Sequence, residues 1–298
     1  MLGYLKSYMK KHWIYYVFVA PFMILFTTFV IIPVFSSMYY SFTYYNILET
    51  PRFIGAANYI KLFTEDDVFL IAVKNTVIIA AITGPVSFLM CFFLAWLINE
   101  LSSKLRSIFT LAFYVPTITS SVFVVWMFIF SGDRYGFINS ILLRFNIIDI
   151  PIIFLKTPRY MMMVVIIVSL WMSLGTSFLA FIAGFQGLDP ALFEAGAVEG
   201  IKNRWQELWY ITLPSMRPQL MFGAVLQITA AFSVGEIGNQ LVGFPSVDYG
   251  THTIMNHLID YGSIRYELSY ASAIATILFV IMVFTNKVFN RLLRKVGE

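Results

Sequence analysis

Side chains able to do chemistry are sparse in this sequence, and they gather in three places. Glu236 lies well inside an apolar run, and helical spacing puts Ser233 and Gln240 on its face with Asn239 beside them. Such a group can hydrogen-bond a polyhydroxylated solute. Ser169, Trp171, Ser173 and Thr176 form a second polar group in another apolar stretch. The competing role for its hydroxyls is back-bonding to the preceding turn, or packing between helices. The third place is the polar, Gly- and Pro-punctuated segment from Asp189 to Pro214. Elsewhere the motifs of catalysis are missing. His252 and His257 stand five apart, which does not place both on one helix face, and no His-Glu-x-x-His pattern occurs. Gly175-Thr176-Ser177 is not a Gly-x-Ser-x-Gly elbow. Cys91 is the only cysteine, so neither a disulfide within the chain nor a cysteine metal cluster is available. A Gly-x-x-x-x-Gly-Lys-Ser/Thr phosphate loop is absent, so any ATP must be bound by another polypeptide.

The elements that hold these residues follow from composition. Of 298 residues, 59% are hydrophobic and only 12% charged, against about a quarter charged in soluble domains. Charge-free runs cover 13–48, 75–99, 107–132, 160–188 and 268–286, each long enough for the roughly 20 helical residues that cross a bilayer. A sixth, 218–247, is interrupted only by Glu236. Buried strands of a soluble α/β domain would be runs of about 4–8 residues, so that class is excluded. We therefore predict an all-α integral membrane protein in one domain, with spans near 14–42, 72–99, 107–131, 160–187, 218–243 and 268–288 and a loop at 188–217. The first run greatly exceeds the apolar core of a signal peptide and is expected to be retained. An Ile-rich piece around Pro151 is too short to span and is expected along the outer surface.

An even number of spans puts both termini on one side, and positive charge marks the cytoplasmic side. With the N-terminus inside, Lys6, Lys10, Lys11, Lys104, Arg106, Lys202, Arg204, Arg217, Lys287, Arg291, Arg294 and Lys295 face the cytoplasm, against eight Lys and Arg outside in longer segments. Net charge of +4 is thus spent beside spans, not in a nucleic-acid-binding domain. Counting about 1.5 Å per residue from Gln219, Glu236 comes about 26 Å up, in the outer half of the bilayer. It can contact solute, pair with a partner subunit's helix, or meet water near the outer face. As a proton relay it would stand alone, whereas ion-coupled carriers generally use several intramembrane ionisable groups.

The loop at 188–217 lies on the cytoplasmic side in this topology. Asp189 is a good helix N-cap, Pro190 suits the first helical position, and Gly200 can take the left-handed turn that ends about three turns of helix. Pro214 is expected to break the following helical piece before the fifth span. On the first helix Ala191, Leu192, Ala195, Gly196 and Val198 are expected to form one face of small side chains, suited to close approach by another backbone.

The run Glu194-Ala195-Gly196-Ala197-Val198-Glu199-Gly200, followed by Ile211-Thr212-Leu213-Pro214, resembles the EAA motif of binding-protein-dependent ABC importers. Gly196 stands for the second Ala, Glu199 for Asp, and Ile201 for the Ala after Gly. Further likeness to sugar-type, maltose-like permeases lies in Ala20-Pro21-Phe22, Gly55, Asn58-Tyr59, Asn75-Thr76, Pro116 and Tyr135-Gly136-Phe137-Ile138-Asn139. The resemblance implies six transmembrane helices in the MetI-like fold of type I ABC importer permeases. It implies a second permease, two ATPase subunits that carry ATP and magnesium, and an extracytoplasmic solute-binding protein, in a bacterial inner membrane. Leu192, Glu194, Ala195, Gly196, Ala197, Glu199, Gly200, Leu213 and Pro214 become coupling residues toward the ATPase, with no cofactor on this chain. Aligned on the motif, Ser169, Trp171, Ser173 and Thr176 fall at or near sugar-contacting positions of maltose-type permeases. Carbohydrate is the implied cargo; glycerol phosphate or a polyol is the alternative, and an ion-coupled secondary carrier using Glu236 the alternative of a different class.

Overall fold

The computed structural model describes residues 2–119 and 122–294, with side chains from His12 onward. Lys6, Lys10, Lys11 and Lys295, which entered the charge count, lie outside the described side chains. The chain divides into two compact units. The first comprises residues up to Leu62 together with Leu258–Thr276. In it α1 (Leu2–Phe26) continues through a π turn at Thr27–Ile31 into α2 (Ile32–Tyr40). Pro33 opens α2, where the widened turn before it accommodates the missing N–H. No described residue of this long helix is fully buried, as expected where lipid or a partner helix is the solvent. A two-residue hairpin pairs β1 (Thr43–Tyr44) with β2 (Arg52–Phe53). Asn58, on α3 (Ala57–Thr64), ties it to the end of α2 by donating Nδ2–H to the carbonyls of Ser41 and Thr43, both at 2.9 Å.

The second unit, Phe63–His257 with the residues from Ile277 on, is built around α4 (Asp67–Asn99). Asp66 caps that 33-residue helix by accepting from the Phe69 N–H at 2.9 Å. Against α4 pack α9 (Thr176–Gln186) and α13 (Arg217–Phe232). Their core joins Phe92, Ala95 and Ile98 of α4, Phe178, Phe181 and Phe185 of α9, and Leu220 of α13. The close approach of α13 to α9 requires glycine, because a Cβ at Gly223 would lie 2.4 Å from the Phe181 ring. A second apolar cluster, toward the opposite end of α4, gathers Ile79, Val164, Val168, Phe154 and Val234.

Among the described residues, four helical stretches are long and apolar enough to span: 12–40, 67–99, 158–186 and 268–293. The other two expected spans are bent pairs. One is α5 (Ser103–Ile118) with α6 (Val122–Ile129); the other is α13 with α14 (Gly235–Val242), bent by 43° at Ser233–Val234. The 158–186 stretch is itself interrupted between α8 (Pro158–Met172) and α9. The Ile-rich piece is largely exposed at Ile147, Ile150 and Ile153, as expected of a surface segment, but it is pinned in place. Beyond α7 (Phe137–Arg144) it folds back on fully buried Asn139, which donates to the Ile152 carbonyl at 3.0 Å and accepts from the Ile152 N–H at 2.9 Å.

Candidate functional site

In the segment 189–214 local rules and structure coincide closely. The Asp189 carboxylate accepts from the Ala191 N–H at 3.0 Å and α10 (Pro190–Val198) follows. Gly200 ends it with φ at +97°. The Ile201 N–H reaches the Gly196 carbonyl at 2.9 Å and the Gly200 N–H reaches that of Ala197 at 3.3 Å, the paired bonds of a Schellman turn. Asn203 then caps α11 (Arg204–Glu207), accepting from the Gln206 N–H at 2.9 Å.

Two expectations for this hairpin are corrected. Gly196 does not share the outer face of α10: it is buried, and a Cβ there would come within 2.6 Å of Ile211 Cδ1 and 3.1 Å of Ile201 Cδ1. Glycine at 196 is what admits Ile201, so the two departures from the motif are packed on each other. Pro214 does not break the chain either. A π turn at Leu208–Thr212 widens the helix ahead of it, α12 (Leu213–Ser215) carries Leu213 and Pro214 half-buried, and the break falls at Met216.

The outward side of α10 presents Leu192, Ala195, Ala197, Val198 and Glu199 to solvent, Val198 with 89% of its surface exposed. Glu194 is exposed as well, at the rim of a 380 Å³ cavity that it shares with Trp96, Glu100, Arg204 and Glu207. Arg204 bridges two of these carboxylates, Nη1 to Glu207 at 2.8 Å and Nη2 to Glu100 at 2.9 Å. The Glu207 bond, then the Glu100 charge, hold its guanidinium above the ordinary arginine range.

The polar residues of the spans separate into two kinds. Ser233, Glu236 and Gln240 do share an exposed face, Gln240 donating to Glu236 at 2.8 Å and Ser233 to the Thr229 carbonyl at 2.9 Å. Asn239 turns away from them and accepts from Asn256 at 2.6 Å. Ser169 is buried and back-bonds to Val165 at 2.6 Å; Ser173 does the same to Leu170 at 2.6 Å. Trp171 meets Trp126 edge-on, with centroids 5.3 Å apart, and Thr176 is exposed at the start of α9. Ser169 and Ser173 line a cavity of 80 Å³ with Thr83, Ser87 and Gln227, room for waters but not for a sugar ring. Gln227 has no counterpart among the sequence-based candidates. It is buried and donates to Ser177 Oγ at 2.6 Å, and to the Ser173 carbonyl and Cys91 Sγ at 3.1 Å each, tying α4, α9 and α13 together. A lone amide in the apolar run 220–232 was the available signal.

The two histidines do not share a helix face, as expected, yet the fold brings their rings together. His252 precedes α15 (Ile254–Ile259) and His257 lies within it, so the turn brings His252 Nε2 to 3.2 Å from His257 Nδ1. His257 Nε2 lies 3.1 Å from Asp66 Oδ2, and both rings are almost wholly buried. Asn75 donates to the carbonyls of Tyr249 and His252, both at 2.9 Å. The cluster fastens the loop before α15 to the start of α4. Substituting His257→Ala removes the buried imidazole that contacts both Asp66 Oδ2 and His252, and we expect a loss of about 1–3 kcal/mol, read as a lower melting temperature in detergent. Unchanged melting would show the contact to be inconsequential.

Residues 91–297 match the family described as binding-protein-dependent transport system inner membrane component. Similar curated proteins include the probable ABC transporter permease protein YesP of Bacillus subtilis (strain 168), 32% identical over 93% of this chain and 89% of its own length. The lactose transport system permease protein LacF of Rhizobium radiobacter is 27% identical over 90% and 88%. The arabinooligosaccharides transport system permease protein AraP of Bacillus subtilis (strain 168) is 27% identical over 93% and 87%. In fold the chain is similar to a subunit in the crystal structure of a bacterial ABC transporter involved in the import of the acidic polysaccharide alginate, with a TM-score of 0.76, 24% identity and 99% of both chains covered. The match begins at Cys91 in α4, takes in the whole capped hairpin, and extends beyond α13 and α14. On that footing the chain belongs to the inner membrane components of binding-protein-dependent ABC transport systems.

Proposed function

We propose that this chain is a transmembrane subunit of an ABC importer that moves a carbohydrate, an oligosaccharide in particular, delivered by an extracytoplasmic solute-binding protein. The observation that carries the proposal is α10, a capped helix whose outward side exposes Leu192 and Val198. Apolar side chains on a polar loop mark a surface that another protein covers. Leu192, Glu194, Ala195, Ala197 and Glu199 face an ATPase subunit in this reading, while Gly196, Gly200, Leu213 and Pro214 shape the hairpin that presents them. ATP and magnesium bind that ATPase, and this chain is a permease without catalysis of its own. The working assembly holds two ATPase subunits and a second, non-identical permease, in a bacterial cell membrane with both termini of this chain in the cytoplasm. Ser233, Glu236 and Gln240 are the first candidates for the solute path because their face is open in this chain; Asn239, Ser169, Trp171, Ser173 and Thr176 stand behind them. Lactose and arabinooligosaccharide permeases among the relatives support the cargo class.

Reconstitution with the second permease, ATPase and binding protein in proteoliposomes tests the proposal. Hydrolysis stimulated by sugar-loaded binding protein, with uptake that stops when ATP is withheld, is the expected result. Uptake that persists without any ATPase and follows an ion gradient would overturn it.

A further inference from the structure

The hairpin around α10 follows α9 and precedes α13 in the chain, so motion of α10 reaches those two helices through the backbone. It has no such connection to α4, the longest helix of its unit. Displacement can reach α4 indirectly through α9 and α13, which pack against it, and directly from the hairpin through side-chain contact. Part of that contact is apolar: Leu208 shares a cluster with Ala95 and Ile98. Apolar contact is non-directional and resists separation better than sliding.

Two consecutive residues supply what the apolar floor lacks. Arg204 splits its guanidinium between Glu207 on its own limb and Glu100, the residue that closes α4. Trp205 sets its ring 5.3 Å from that of Trp96. Trp96 and Glu100 are four apart and therefore on one face of α4, about 6 Å along its axis. We propose that Arg204 and Trp205 form a two-point grip on the end of α4, through which movement of the α10 hairpin displaces the half of α4 between Pro85 and Glu100. This deepens the importer reading and rests on it.

A planar fork holding two carboxylates fixes direction as well as distance, and a second contact one turn away blocks rotation about the first. The grip acts on position more than on stability, because the Arg204–Glu100 pair is substantially exposed and pairs of that kind contribute little to folding. What α4 carries gives the grip its consequence. Thr83 and Ser87 line the polar cavity in the middle of the unit, and Cys91 accepts from Gln227. Shifting α4 at Glu100 shifts Cys91 and Ser87, which lie between that end and Pro85.

The test uses the full assembly in proteoliposomes and reads solute moved per ATP hydrolysed. Arg204→Ala and Glu100→Gln are expected to keep the ATPase bound and hydrolysing while that ratio falls about tenfold, the scale of a typical coupling between sites. In a Glu207→Gln background, which removes the competing carboxylate, Glu100→Arg and Arg204→Glu should each depress the ratio and their combination should restore it. A merely structural role would lower hydrolysis and transport in parallel and would show no such restoration. If wild-type uptake is ATP-driven, an unchanged ratio in Arg204→Ala, or parallel loss of both activities, overturns the grip alone. If wild-type uptake ignores ATP, the importer reading falls, and the grip with it.

Discussion

Under the proposed docking, Glu194→Lys is expected to release the ATPase from this subunit while its membrane helices stay folded. The side chain lines no apolar core; it stands exposed over a cavity already holding Glu100 and Glu207, with Arg204 as their counter-charge. A surface of that sign selects a partner surface of the opposite sign, and reversing one charge sets like against like at a cost of several kcal/mol. We expect affinity for the ATPase to fall about a hundredfold or more. Gly200→Val should reach the same end by a different route. Nothing lies within 4 Å of the position a Cβ would take, so no clash occurs, but φ of +97° is a conformation that a β-branched residue resists. The hairpin must then open, and α10 no longer presents its outer side as the proposed docking requires. Pull-down of the ATPase with detergent-solubilised subunit reads both variants, with the thermal unfolding of the membrane helices as reference. Retention of the ATPase by either variant, with folding intact, would count against α10 as the docking element.

Gly223→Val is expected to have the larger effect on folding. Its first added carbon would lie 2.4 Å from Phe181 Cζ and 2.6 Å from Cε1. Phe181 cannot swing clear, because Phe88 and Phe92 stand edge-on to it at 5.5 and 5.8 Å and it is fully buried. Either α13 moves off α9 or the aromatic cluster is rebuilt, and overpacking of this kind costs about 3 kcal/mol or more. Gly84→Ala is the matched control, since its Cβ would meet only Ala231 Cβ at an ordinary 3.9 Å. Unfolding in detergent should be much earlier for the first variant and nearly unchanged for the second. Equal melting of the two would show that the α9–α13 contact yields more readily than its geometry implies.

The parts of this protein legible from sequence are those in which a residue's role depends on its immediate neighbours in the chain. Apolar runs as long as a bilayer is thick, the Asp189 cap, Pro190 at the first turn and the left-handed Gly200 follow from backbone hydrogen-bonding and steric rules that act over four or five residues. The motif resemblance added identity to that local frame. What escaped depended on partners far along the chain. Gly196 turned inward because Ile211 needed its space, and Pro214 continued the helix because a π turn ahead of it removed the clash. Gln227 found acceptors 50 to 136 residues away, and His257 found Asp66 across 191. Periodicity can say which face of a helix a side chain occupies, yet the burial of that face, and what satisfies a polar group there, is decided only when another helix arrives. So the sequence by itself determined that this chain crosses a membrane and carries a capped hairpin beside its spans. Tertiary packing decided which hairpin residues remain exposed and which contact α4, because in a closely packed interior one missing Cβ or one distant acceptor settles the direction a side chain takes.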